Sequence, residues 1–361
     1  MGSIDGMYKI VITRDLGPNV MPVLKDKKEF NLIVCPDSTK DRQQWIIENV
    51  PGAAGLLCML SDKITAEIIE AAGPTLKVVS TMSVGYDHVN LPTLKKLNIR
   101  LGYTPDILTN AVADLSVMLA LMASRNAREC MDTVQNGQWP NSPWTPFGFC
   151  GPQISVVPNE TQPGKYSQGR TVGFFGFGRI AQATLARLVP FGVSKFIYTG
   201  NPSAVVDQAT LDRDAAIAKS VGLPSDAISR VSLDDLASQS DVLFVLAPGG
   251  ASTYHAIDAS FLSKMKSTSV LVNASRGTIV DSDALAAALR SGQIWGAGLD
   301  VVEGEPHITT EHPLVKESRC VVFPHVASAT TETRIGIGRL AAFNVISGVF
   351  GDEMPSELQI S

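Results

Sequence analysis

The stretch Thr171-Val172-Gly173-Phe174-Phe175-Gly176-Phe177-Gly178-Arg179-Ile180-Ala181 decides the fold. Thr171 to Phe175 reads as a short buried strand, the glycines as a tight turn, and the residues after Gly178 as the start of a helix. Gly176 permits the turn, Gly178 lets backbone approach a pyrophosphate, and Ala181 is small enough for helix to meet strand. The free N–H groups of the helix start then face an anion, so Gly176, Gly178, Arg179 and Ile180 are expected cofactor contacts. Such a pattern also occurs as an ordinary glycine turn. The strand before it and the helix after it are what make it a dinucleotide fingerprint.

Strand-like runs recur downstream at Lys195–Tyr198, Asp241–Ala247, Ser269–Asn273, Gly296–Asp300 and Cys320–Phe323, with helical segments between most of them. Together with the fingerprint strand these make six, which suits a doubly wound parallel sheet of the Rossmann type. Upstream runs at Tyr8–Thr13, Asn31–Cys35, Gly55–Leu60, Lys77–Ser80 and Ile99–Leu101 alternate with helical stretches, so the fold class is α/β with a second, small parallel domain. Asn110–Asn126 is long and almost uncharged, and reads as a buried helix linking the domains. Gly137–Gln168, rich in Pro, Trp, Gly and Asn without periodicity, reads as an arm. Thr331–Val349 is expected to be an amphipathic helix that returns to the first domain.

The length of 361 residues agrees with two domains. A formal charge of -5 with no basic run offers no face that tracks phosphates, which argues against nucleic acid as a partner. Five scattered cysteines without a CxxC fit a reducing compartment rather than disulfides or a zinc site, and no metal is expected. No apolar run approaches the roughly 20 residues of a membrane span. The start lacks a secretory pattern, so a cytoplasmic address is the default.

The fingerprint calls for an acidic residue about 20 positions on, to hold the ribose 2′-OH of NAD. Here the chain reads Tyr198-Thr199-Gly200-Asn201-Pro202-Ser203, with no carboxylate to repel a 2′-phosphate. Thr199, Asn201 and Ser203 offer hydrogen bonds to one, although no arginine stands beside them and these residues also suit a plain turn. NADPH is therefore favoured, with NADH the alternative. Ala247 and Ala274, at or just beyond strand ends, join the expected cofactor contacts.

Three further segments close strands of the second series: Asn273-Ala274-Ser275-Arg276-Gly277, Asp300-Val301-Val302-Glu303-Gly304-Glu305-Pro306 and Pro324-His325-Val326-Ala327-Ser328-Ala329-Thr330. Ligands of open parallel sheets bind beyond the carboxyl ends of the strands. Reduction of an oxo acid needs a fork for its carboxylate, a proton donor that titrates near neutrality, and a group to orient that donor. Arg276, His325 and Glu305 supply those types in that order. Singly, they also read as a helix-start cation, a packing residue and a solvated carboxylate. His88, His255, His307 and His312 lack such company in the sequence.

These segments and the fingerprint resemble the D-isomer-specific 2-hydroxyacid dehydrogenase family over nearly the whole chain. Leu56-Leu57-Cys58, Ser80-Thr81-Met82-Ser83-Val84-Gly85, Gly102-Tyr103-Thr104-Pro105-Asp106, Tyr198-Thr199-Gly200 and Met354-Pro355-Ser356-Glu357-Leu358 are similar to its glyoxylate/hydroxypyruvate reductases. The resemblance implies a substrate domain of residues 1–108 and 327–361, with a cofactor domain of residues 109–326 inserted between. It implies that backbone N–H groups at Val84-Gly85 hold the substrate carboxylate with Arg276, that Asp300 meets the nicotinamide carboxamide, and that His325 protonates the oxo group. It also implies a homodimer in which the arm is exchanged, so that Trp139 and Trp144 limit the pocket. Asn201 stands where similar reductases carry arginine, and the stretch 151–168 looks longer than the family norm. A phosphorylated substrate would instead call on Lys77 and Arg100, and a nucleotide-sensing corepressor would keep the same trio.

Overall fold

The computed structural model describes residues 7–142, 144–155, 169–200 and 206–360. It divides the chain into two units, Met1–Leu108 with Ala329–Ser361, and Thr109–Ser328.

The first unit is built on strands β1 (Tyr8–Ile12), β2 (Phe30–Val34), β3 (Gly55–Cys58), β4 (Val78–Thr81) and β5 (Arg100–Gly102), joined by helices α1 (Met21–Lys25), α2 (Arg42–Asn49), α3 (Ala66–Ala72) and α4 (Leu91–Lys96). These strands pair in parallel. Central β3 and β4 are buried along their whole length because both faces are covered, β4 ending in the buried hydroxyls of Ser80 and Thr81. Ile46, Ile68, Ile69 and Leu94 pack in one layer. Leu24 packs in the other with Ala341, Val345 and Val349 of a long helix that starts at Thr331. Asp41, Thr65 and Asn90 cap α2, α3 and α4 by accepting from backbone N–H groups.

The second unit carries β6 (Thr171–Phe175), β7 (Lys195–Thr199), β8 (Ile228–Arg230), β9 (Val242–Val245), β10 (Val270–Asn273), β11 (Gly296–Leu299) and β12 (Cys320–Val322). Their order is β12-β11-β10-β9-β6-β7-β8, every pair parallel, so the sheet reverses direction of growth beside β6. Its helices are α5 (Thr109–Ser124), α6 (Ala127–Gln135), α7 (Arg179–Leu188), α8 (Gln208–Ser220), α9 (Leu233–Gln239), α10 (Ala259–Lys264), α11 (Ser282–Ser291) and α12 (Pro313–Lys316). The stretch expected to link the domains, α5, belongs to this unit. A Cβ at Gly298 of β11 would sit 2.7 Å from the Leu119 carbonyl oxygen, so that glycine lets α5 lie close on the sheet.

The chain then returns to the first unit as α13 (Thr331–Phe350) and β13 (Glu357–Leu358), the latter antiparallel to β5. Gly348 of α13 brings the helix onto β4, where a Cβ would lie 2.6 Å from the Val78 side chain. The second sheet thus has seven strands rather than the six expected, and the first has gained an antiparallel edge. Among the described residues, no helix is long and apolar enough to cross a membrane.

Candidate active site

The turn after β6 is shaped for a close ligand. Gly176 has φ +90°, and a Cβ there would stand 2.6 Å from Ala247 Cα. Gly178 caps α7 with no side-chain acceptor, and its missing Cβ leaves open space. The first turn of α7, which opens at Arg179 and Ile180, therefore points backbone N–H groups toward the place an anion would take. Gly176 N–H donates to the Thr199 carbonyl at 2.9 Å, which ties the end of β7 to the turn. A dinucleotide pyrophosphate fits this cradle. Asn201 and Ser203 lie outside the described residues. Ser275 Oγ donates to the Ala247 carbonyl, which joins the loop after β9 to the one holding Ala274.

Beyond β10, the Asn273 side chain donates to the Arg276 carbonyl at 2.9 Å and accepts from Ser275 N–H at 3.1 Å, folding the segment into an Asx turn. Arg276 leaves that turn half-buried, with Nη1 2.9 Å from the Ser275 carbonyl. Gly277 touches the backbone of Val302 and Glu303 where any Cβ would collide, so the loops after β10 and β11 meet there.

Asp300 follows β11 and is 1% exposed. Its carbonyl accepts from His325 N–H at 2.8 Å, and its two carboxylate oxygens accept from Val326 and Ala327 N–H, each at 2.8 Å. His325 consequently holds φ +55°, a left-handed backbone that a non-glycine residue adopts only when its surroundings impose it. Burial pushes the Asp300 carboxyl above its ordinary value, against the opposing pull of the Val326 and Ala327 N–H groups and of His325. His325 Nδ1 lies 2.9 Å from Glu305 Oε1, both side chains about one quarter exposed. Nε2 has no partner among the described residues and is free to act on a ligand.

The remaining candidates are carried by other segments of the chain. In the first unit, the turn at Val84 and Gly85 is braced by a chain from His88 Nε2 to Thr81 Oγ1 (2.9 Å), to Ser83 Oγ (2.8 Å), to the Gly85 carbonyl (2.5 Å). Trp144 is 89% exposed. Lys77 and Arg100, the cations a phosphorylated substrate would need, are engaged within the fold. Lys77 donates to the Val349 carbonyl at 2.8 Å, and Arg100 makes a bidentate pair with Glu357 at 2.9 and 2.6 Å.

One expectation is corrected: His255 does have acidic company. Its Nε2 lies 2.7 Å from Glu303 and its Nδ1 3.8 Å from Asp281. These residues are 22 to 48 positions apart in the chain, which is why sequence inspection missed the cluster. Asp300 as the anchor of the His325 loop was also missed, since carboxylate and amides are 26 and 27 positions apart.

A sequence model described as "D-isomer specific 2-hydroxyacid dehydrogenase, NAD binding domain" matches residues 117–327. The human glyoxylate reductase/hydroxypyruvate reductase is 42% identical over 311 residues, covering 86% of this chain and 85% of that protein. A glyoxylate reductase of Thermofilum pendens is 36% identical over 350 residues, 97% of this chain and 94% of the other. Among solved structures, an NADPH-dependent glyoxylate/hydroxypyruvate reductase of Sinorhizobium meliloti, in complex with NADP and malonate, superposes with a TM-score of 0.72 at 28% identity, covering 98% of this chain and 97% of that one. With that match across more than half its length, and with the glycine cradle in place, the chain belongs to the D-isomer-specific 2-hydroxyacid dehydrogenase family and is an NAD(P)-dependent enzyme.

Proposed function

We propose that the protein reduces glyoxylate and hydroxypyruvate to the corresponding D-2-hydroxy acids, with NADPH preferred over NADH. The observation that carries the chemistry is the His325–Glu305 pair at 2.9 Å, seated at the carboxyl ends of β11 and β12 in the unit that holds the nucleotide cradle. The substrate choice is supported by the names of the human and Thermofilum pendens relatives, and the NADPH preference by the NADP complex of the Sinorhizobium meliloti protein.

Residues Gly176 to Ile180 hold the pyrophosphate, and Ala247, Ala274, Thr199, Asn201 and Ser203 are further cofactor contacts. The nicotinamide, when bound, supplies a hydride to C2 of the oxo acid. Arg276 presents a planar fork to the substrate carboxylate. His325, protonated, releases the Nε2 proton to the oxo oxygen, so hydride and proton together convert C=O to CH–OH. Glu305 accepts from Nδ1–H, which fixes the ring's tautomer and stabilises the imidazolium before transfer. Asp300 holds the loop that aims the ring, besides its proposed contact with the carboxamide.

The exposed apolar side chains of the arm and the helix before it, Met131, Val134, Trp139, Trp144 and Phe147, make a homodimer the reading for the assembly, with Trp144 bordering a pocket of the pair. A cytoplasmic address goes with the five free cysteines. Initial rates with NADPH and NADH against glyoxylate, hydroxypyruvate and a branched 2-oxo acid test the reading. Fast oxidation of NADPH by the two small acids is expected. Turnover confined to the branched acid would overturn the substrate assignment, and nucleotide binding with no turnover would favour a regulatory protein.

A further inference from the structure

At the far end of the nucleotide cradle the structure gathers five side chains from four places in the chain. Phe177, between the two glycines of the turn, stacks on Tyr198 of β7, centroids 4.4 Å apart and 16° from parallel. The guanidinium of Arg213, from α8, lies over both rings at 5.9 and 5.6 Å. Its Nη2 reaches Tyr198 Oη at 2.6 Å and Asp214 Oδ1 at 2.7 Å, and its Nε reaches Asp214 Oδ1 at 3.0 Å. Tyr198 Oη in turn donates to Asp214 Oδ2 at 2.8 Å. Arg230, the residue of β8 in register with Tyr198, adds a second positive charge close enough to act on the phenol.

This is the end of the second strand after the fingerprint, where an NAD-specific fold presents a carboxylate to the ribose. The one carboxylate here, Asp214, is 4% exposed on its side chain, and both of its oxygens are taken by Tyr198 and Arg213. Arg213, by contrast, is 47% exposed, and its Nη1 has no partner among the described residues. Burial, with help from Asp214, raises the Tyr198 phenol to about 12, so it stays a neutral donor that fixes the arginine. What faces outward is thus a clamped guanidinium edge with two unused N–H groups, held from behind by Asp214, with Arg230 close enough to act on the same phenol.

We propose that Arg213, held by Tyr198 and Asp214 and assisted by Arg230, is the cation that receives the 2′-phosphate of NADPH, in place of an arginine directly after Thr199-Gly200. This rests on the NADPH preference stated above. It locates that preference in α8 and β8, away from the loop where the sequence pattern looks for it. A planar fork held rigid on two rings loses little freedom on binding, which suits bidentate contact with a phosphate.

Isothermal titration of the full-length protein with adenosine 2′,5′-bisphosphate and with adenosine 5′-monophosphate tests the assignment without turnover. The wild type is expected to bind the bisphosphate about 10–100-fold more tightly. Arg213→Gln should erase most of that ratio while leaving monophosphate affinity within about twofold, Arg213→Lys should retain part of it, and Arg230→Gln should reduce it less. An unchanged ratio in Arg213→Gln would overturn the proposal. So would equal loss of both ligands, the mark of a merely structural role. A wild type without any ratio would sink this site and the NADPH preference together, whereas hydroxypyruvate reduction with NADH would leave the rest of the proposed function standing.

Discussion

At the scale of single residues, the site depends on one carboxylate more than its exposure suggests. Asp300 accepts three hydrogen bonds from consecutive residues, one through its carbonyl and two through its carboxylate, and so keeps His325 in a left-handed conformation. Asp300→Ala would leave the part-buried Val326 N–H and the buried Ala327 N–H without acceptors, the latter at about 1–3 kcal/mol. A lower thermal midpoint and a fall in kcat with hydroxypyruvate are expected together. His325→Ala separates the two effects: kcat should drop about 10²–10⁴-fold with little change in thermal midpoint or nucleotide affinity, and an unchanged kcat would remove His325 from its role. Arg276, Glu305 and His325 are put forward by the sequence because each stands two to five residues past an apolar run, and strand ends are where open sheets bind ligands; of the three, the structure pairs His325 with Glu305. Arg213 is not put forward by the sequence. It lies 14 positions beyond Thr199 inside a helix, and nothing in its own neighbourhood distinguishes it from a surface cation.

Among the elements, the strands that sequence reasoning missed are the ones with least apolar sequence to show. β8 is three residues, Ile228-Ser229-Arg230, with only the first buried, and β13 is two. Both are edges, formed because a neighbour's unpaired backbone was there to pair with, which no local pattern encodes. β13 is fastened instead by Arg100–Glu357, a pair whose side chains are each about one quarter exposed. Arg100→Ala should therefore cost no more than about 1 kcal/mol. The hydrogen bond from Arg100 holds the Glu357 carboxyl below its ordinary 4.5. A depressed carboxylate stabilises the fold above its unfolded value and loses that contribution as pH falls through the folded one. Acid titration of the thermal midpoint should show that loss in the wild type and a shallower slope in Arg100→Ala. At the other end of the returning segment, Thr330 caps α13 by accepting from Thr333 N–H at 3.2 Å. Thr330→Ala should lower stability by about 1 kcal/mol in chemical denaturation.

Over the whole molecule, the first unit is discontinuous in sequence. Its core takes Ala341, Ala342, Val345 and Val349 from α13, all fully buried, and its sheet edge takes β13. A chain ending at Ser328 should therefore lose the first unit's structure. The second unit should still titrate with adenine nucleotide, and hydroxypyruvate reduction should vanish. Loss of nucleotide binding in that truncation would show that the units do not fold separately. That α13 returns to the first unit was readable from its apolar spacing and from the family resemblance. That Gly348 and Gly55 are the residues letting it settle on β4 and β3 was not, since glycine in a helix reads only as a weak point.

The return at Ala329 also sets an order of events for the newly made chain. Closing a flexible loop of roughly 220 residues would cost about 5 kcal/mol of chain entropy before a single contact of α13 formed. Once the second unit has folded, its two ends are held at a fixed separation and most of that cost is gone. Residues 1–108 must then wait, with the layer of Leu24, Ile10 and Val78 uncovered, until residues 329–361 have been synthesised. Of the two units, the one begun first is the last to be finished, and the interval is its period of exposure to aggregation.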